Sequence, residues 1–322
     1  MKFKLYISFF LTLITFTACQ KNLDVFVPDP GQRLGPDTTW VNAINDTQQI
    51  SLLMDELALS AQADSVEVTD DNNTVLFSSG IQCEFTANSL VNAANEPVAG
   101  KIKVEALLLK TKGDLIRMNK PTVSDDKLLV SGGAINIHLT KNDEDLTIDT
   151  AKELLLKYPV QSNTVTSKLF YGEEIFPGVF NWAKYTNDIG GFVTTDNQEY
   201  SIKCGRTGWI SPALWFDINT PETSIDASLP AHFTNANTKV FLVFKNSFSV
   251  VAFNPDVAKR KFASIPLPSG EAVTMVVLSR QNNEFYLGHT DATISAGSIT
   301  QQVKATPVKV SFSKMNEYLS SL

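Results

Sequence analysis

Short runs in which apolar and polar residues alternate one for one leave this chain few ways to fold. Within 98–109, Ile102, Val104 and Ala106 alternate with Lys103 and Glu105. A strand points successive side chains to opposite faces, so such a run buries one side of a sheet. After Gly132-Gly133, Ile135, Ile137 and Leu139 repeat the pattern, as do Ile81, Cys83 and Phe85, and later Tyr200, Ile202 and Cys204. Other β-prone segments are 66–68, 74–77, 240–244, 250–253, 272–278, 284–287 and 308–312. Many short strands separated by polar turns predict an all-β fold. Two helices break the rhythm. Ile50, Leu53, Met54 and Leu57 fall at helical spacing within 47–62. Ser313 is placed to cap a last helix over 314–322, with Met315, Tyr318, Leu319 and Leu322 facing a sheet. Lys112-Gly113-Asp114 reads as a turn, followed by one helical turn at 115–118. The expected architecture is two β-sandwich-like domains, 46–158 and 159–322, ending in a short C-terminal helix.

The first eighteen residues belong to a different kind of segment. Lys2 and Lys4 precede an apolar stretch at 5–16, and Phe16-Thr17-Ala18-Cys19 follows. A basic start, a short apolar run and a small-residue cut site make a secretory signal peptide. The run is too short to span a bilayer, which takes roughly twenty apolar residues. The tetrapeptide resembles a bacterial lipobox with Phe in place of Leu, which implies lipid attached to Cys19 once 1–18 are removed. Two or more acyl chains anchor a protein stably, whereas one does so marginally. The alternative is an ordinary signal peptide with an incidental cysteine. Residues 19–45 carry Pro28, Pro30, Pro36, Gly31 and Gly35 and read as an extended tether.

Charge and cysteine content narrow the partners. The chain has 27 basic and 34 acidic side chains. Removing Lys2 and Lys4 gives the mature chain 25 − 34 = −9. No basic run marks a nucleic-acid surface. Cys83 and Cys204 each share a strand face with apolar neighbours and read as buried free thiols in separate domains. A bridge between them needs both at one shared boundary.

Several blocks resemble uncharacterised Bacteroidota envelope lipoproteins. They are 100–133, Leu169-Phe170-Tyr171-Gly172-Glu173, Asn181-Trp182, Gly208-Trp209-Ile210, Phe285-Tyr286-Leu287-Gly288 and the final helix. Where that group often shows Asn-Cys-Asp after Gly-Trp-Ile, this chain has Ser211-Pro212-Ala213. The first domain is also distantly similar to ZU5-type β-sandwiches, which mediate protein contacts. Gln20-Lys21 resembles the start of the group's surface-export signal, with Asn22 and Leu23 where acidic residues usually follow. The resemblance implies an outer-membrane lipoprotein, periplasmic or surface-facing, and implies no activity.

Signatures of specific chemistry are weaker. No Gly-x-Ser-x-Gly elbow, Gly-x-Gly-x-x-Gly or Walker loop occurs, so no cofactor is expected. His138, His232 and His289 do not share metal-ligand spacing. The clusters Asp70-Asp71-Asn72-Asn73, Asp125-Asp126 and Asp143-Glu144-Asp145 suit either solvated turns or calcium. Trp182, Trp209 and Trp215 are the candidates for stacking on a sugar, and core packing is the competing role. The function expected is binding or scaffolding at a membrane, without catalysis. A glycan-binding lipoprotein of an uptake system and a cryptic hydrolase with paired carboxylates are the alternatives.

If Cys19 carries the anchor, Cys19→Ala leaves the protein in the soluble fraction and removes radiolabel from palmitate. A variant that stays with membranes and keeps the label contradicts the lipid-anchor reading.

Overall fold

The computed structural model describes residues 37–322, apart from 161–167, 177, 185–191, 197 and 218. The signal peptide, Cys19 and the tether as far as residue 36 lie outside the described residues. From Thr38 onward the chain forms one compact unit. The tether expected through residue 45 therefore ends earlier. The Val41 N–H donates to Asn235 Oδ1 (3.0 Å), and Asn235 Nδ2 donates back to the Val41 carbonyl (2.7 Å). A buried side-chain amide satisfies donor and acceptor of one residue and so fixes the strap in place.

The chain is mostly β, in antiparallel sheets with one parallel pairing. A larger sheet runs in the order Gln62–Val68, Gly100–Leu109, Ala134–Lys141, Gly208–Trp215, Lys168–Phe176 and Val179–Lys184, with three short strands off this path. A smaller sheet runs Phe192–Asp196, Glu199–Cys204, Leu154–Pro159, Gln82–Phe85 and Asn73–Leu76. The alternating residues meet between them: Ile102, Val104, Ile135, Ile137 and Leu139 from one side, and Cys83, Phe85, Leu154, Leu156 and Ile202 from the other. Strand pairing crosses residue 158, where the sequence reading closes its first domain. Leu154–Pro159 pairs with Glu199–Cys204, and Gly208–Trp215 pairs with Ala134–Lys141. The first sandwich thus extends to Trp215, because its sheets take strands from both sides of that point.

Residues beyond 221 form the second sandwich. One sheet orders Asn254–Asp256, Lys261–Ala263, Glu222–Ser228 and Leu267–Pro268, with Thr300–Lys304 parallel to Glu222–Ser228. The other orders Val250–Ala252, Thr238–Phe244, Ala272–Gln281, Glu284–Thr293 and Val308–Val310. Between them lie Ile225, Leu242, Phe244, Phe262, Leu267, Met275 and Val277.

The two sandwiches share a third core. Phe241 and Val243 leave the opposite face of Thr238–Phe244 and pack with Leu109, Ala134, Phe170 and Trp182 of the first sandwich. The strand is therefore apolar on both sides, as strands covered on both faces are. The three helices among the described residues end in this core: Gln49–Leu57 through Ile50, Leu53 and Leu57, Lys112–Arg117 through Leu115 and Ile116, and Phe312–Ser320 through Met315 and Leu319.

The helix ends correct two sequence expectations. The last helix is capped by Ser311, not Ser313, its hydroxyl accepting the Lys314 N–H at 3.2 Å. Lys112-Gly113-Asp114 opens a helix instead of making a turn. Thr111 Oγ1 accepts the Asp114 N–H (3.0 Å), and Asp114 Oδ2 accepts the Thr111 N–H (3.0 Å), a reciprocal cap. Arg117, 7% exposed, pairs with Asp114 (3.0 Å) and donates to the Asn316 carbonyl and Ser320 Oγ, both at 2.7 Å. Gly113 lets the last helix come this close, since a Cβ there would sit 1.7 Å from the Leu319 carbonyl oxygen.

On an exposed helix Gly→Ala stabilises by about 0.5–1 kcal/mol. At Gly113 the obstacle is backbone, so Gly113→Ala is expected to destabilise by about 2–4 kcal/mol. Urea denaturation reads the sign, and an unchanged or higher midpoint contradicts the packing described.

Candidate functional site

Cys83 and Cys204, expected in separate domains, lie in one sheet on the two strands flanking Leu154–Pro159. Cys83 is opposite Leu156, and Cys204 is opposite Leu154. Two strand spacings amount to roughly 9–10 Å, beyond the ~7 Å limit on Cα separation for a disulfide. Both thiols are free and buried. Burial pushes Cys83 up to about 12 and Cys204 well above the ordinary thiol value, which withholds the thiolate a nucleophile needs.

His138 stands on the polar face of its strand, as the alternation predicts. Its Nε2 lies 2.9 Å from Asp145 Oδ1 and its Nδ1 3.3 Å from Glu105 Oε2. The hydrogen bond to Asp145, then that to Glu105, raises its pKa against the lowering effect of burial. Among the described residues no group of three or more His, Cys, Asp or Glu side chains is placed to hold a metal ion.

The three tryptophans weighed between ligand stacking and core packing belong to the core between the sandwiches. Trp182 is 1% exposed and donates from Nε1 to the Pro121 carbonyl at 2.9 Å. Its ring meets Phe180 edge-on at 5.0 Å. Trp215 is half-buried and meets Phe170 edge-on at 5.3 Å. Trp209 is also half-buried, across Gly172 from Trp182 in the sheet. The Phe180 ring fills the space a side chain at Gly172 would need.

One lysine meets this aromatic cluster, and a second is coupled to the first by charge. Lys120 Nζ stands 4.0 Å from the Phe180 centroid and 5.2 Å from that of Trp209, where ring faces attract a cation. Lys239 shares a strand face with Phe241 and Val243, pointing to the same core. Burial, and then the charge of Lys120, lower Lys239 to about 8, with Glu174 partly offsetting them. Part of the Lys239 side chain still touches solvent, so the penalty is smaller than full burial would impose.

A cleft lies elsewhere, at the edge of the second sandwich. Its volume is about 480 Å³, within the roughly 300–1,000 Å³ of small-molecule sites. Trp40 and Phe262 line it, with ring centroids 4.9 Å apart and planes 47° apart. Phe262 is 3% exposed, and Trp40 is half-buried, packed on the core of the second sandwich with its remaining surface in the cleft lining. Phe262 belongs to the Asn254–Asp256 to Lys261–Ala263 hairpin, whose turn closes through the Arg260 N–H to the Val257 carbonyl (3.3 Å). That turn carries Lys259, Arg260 and Lys261 to the rim. Lys261 is committed to Asp226 (2.5 Å) and Lys259 to Asp256 (3.3 Å). Among the described residues no ion pair engages the exposed Arg260.

Sequence reasoning missed this site. Trp40 sits in a segment read as tether, and the triplet Lys259-Arg260-Lys261 was the one signal that could have drawn notice. No family model matches the chain, and no curated protein matches it either.

The Lys239 amine has a pH signature. Its folded pKa, about 8, lies below that of an unfolded lysine. The unfolded chain therefore holds the extra proton between about pH 8 and 10.5, and stability rises with pH across that window. Below about 8 the penalty is fully present. Lys239→Met is expected to raise the unfolding free energy at pH 7 by about 1–2 kcal/mol, with the gain shrinking toward pH 10. A loss of stability at pH 7 contradicts the desolvated amine.

Proposed function

We propose that this chain is a lipid-anchored envelope protein that works by binding, not catalysis, and that the cleft beside Trp40 is its contact site. The carrying observation is how that cleft is built. The strap bearing Trp40 is clamped on both backbone groups of Val41 by Asn235, which is 4% exposed. One wall of the cleft is thus held rigidly, and preorganisation of this kind limits the entropy lost on binding. Thr38, also on the cleft wall, is 38 − 19 = 19 residues from Cys19. At about 3.4 Å per residue the site stays within roughly 65 Å of a lipid on that cysteine. Outer-membrane attachment, periplasmic or surface-facing, belongs to the same proposal and is supported by the Phe16-Thr17-Ala18-Cys19 cut site. An aromatic side chain in the cleft lining, Trp40, favours a glycan over a protein partner, because sugar rings present flat apolar faces to aromatic side chains.

Site-specific photocrosslinking in whole cells tests this reading. A photoreactive residue at Ser228, which is exposed and lines the cleft, is expected to capture envelope material. One at Lys101, exposed on the first sandwich, serves as the control. Equal yields at the two positions contradict the assignment of the cleft.

A further inference from the structure

We propose that the cleft binds a carboxylated saccharide, with the Arg260 guanidinium taking the carboxylate and Trp40 stacking on the sugar ring. This rests on the cleft being the contact site and adds the chemical class of its ligand.

Arg260 occupies an unfavourable backbone position. Ten non-glycine residues among those described have positive φ, and eight are Asn or Asp, which tolerate that region. Gln198 and Arg260 (φ 51°) are the others. The hairpin accepts a long cationic side chain at a turn position that suits Gly or Asn, which puts the guanidinium at the rim of the cleft. Its neighbours are already engaged, Lys261 by Asp226 and Lys259 by Asp256. A planar fork of donors is therefore left facing solvent, and that fork matches the two oxygens of a carboxylate.

The charge of the site agrees. Its lining holds Lys259, Arg260, Lys261 and Asp226, and with Asp256 paired to Lys259 the formal charge is 3 − 2 = +1. The whole chain is −7, so a locally positive cleft on an acidic protein concentrates anions there.

An inorganic anion would leave the aromatic floor unused. Trp40, fixed by Phe262 at 4.9 Å and by the Asn235 clamp on Val41, lines the cleft with apolar aromatic surface. The Gln302 amide in the lining supplies an acceptor and donors of the kind sugar hydroxyls use. A pyranose ring bearing a carboxylate engages all of these groups at once.

Calorimetric titration of the full lipidated chain in detergent tests the proposal. The probes are an oligogalacturonate of four units, the same oligomer with its carboxylates reduced to alcohols, and an oligoglutamate of equal charge. The oligogalacturonate is expected to bind about tenfold or more tighter than either control, and its affinity to fall as salt rises. Arg260→Gln should remove at least tenfold of that affinity and abolish the preference over the reduced oligomer. Trp40→Leu should weaken both saccharides alike, with circular dichroism confirming that each variant is folded. Equal binding of the reduced oligomer, equal or tighter binding of the oligoglutamate, an Arg260→Gln variant that binds normally, or no saccharide binding at all overturns the proposal. Capture at Ser228 alongside any of these results leaves the cleft as contact site and removes only the ligand class. Failure of that capture removes the site itself.

Discussion

The strand Thr238–Phe244 is buried on both faces, and the rest of the molecule depends on that. Val240, Leu242 and Phe244 fill the second sandwich, while Phe241 and Val243 fill the core shared with the first. Fully burying one such side chain contributes about 1.5–3 kcal/mol, so opening the shared core exposes apolar surface belonging to both sandwiches and the three described helices. Arg117 is a polar group buried at that core, and it is satisfied by Asp114 and by two acceptors on the last helix. A buried guanidinium left unpaired would cost several kcal/mol. The second and third helices are therefore held in one register by charge as well as by the missing Cβ of Gly113.

The same core extends toward the cleft through the loop before this strand. Asn237 Oδ1 accepts the Thr234 N–H (3.0 Å) and the Thr238 hydroxyl (2.6 Å), and its Nδ2 donates to the His232 carbonyl (2.9 Å). The Ile50 N–H of the first helix donates to the Ala236 carbonyl at 3.1 Å. Asn235, between these anchors, clamps Val41. Cleft wall, first helix and shared core are thus joined over seven residues of chain. A site built on such a network keeps its shape without ligand.

How much of this the sequence displayed depended on the kind of signal. Strands with one wet face, Gly100–Leu109 and Ala134–Lys141 among them, announce themselves by alternation. The strand Gly208–Trp215 does not, because Pro212 in its middle argues against a strand and both its faces are covered in part. Partner choice was hidden altogether. Leu154–Pro159 sits between strands about 45 and 70 residues away in the chain, and no local pattern encodes such pairing, which follows from the cost of closing long loops and the shape of the core. For that reason the boundary at 158 and the separation of Cys83 from Cys204 failed together. The tryptophans at 182, 209 and 215 were conspicuous through their apolar neighbours, which is also why they are core. Trp40 was inconspicuous among prolines and polar residues, and only long-range contacts, the Val41–Asn235 bond spanning 194 residues and the ring packing on Phe262, show it to be docked.

The central physical claim is that residues 38–322 behave as one cooperative body because the sandwiches share a core. Native-state hydrogen exchange at increasing denaturant measures this directly. The account predicts that the slowest amides of Ala134–Lys141 in the first sandwich and of Thr238–Phe244 in the second converge on one opening free energy with one denaturant dependence. Two plateaus, with either sandwich opening well before the other, would contradict it.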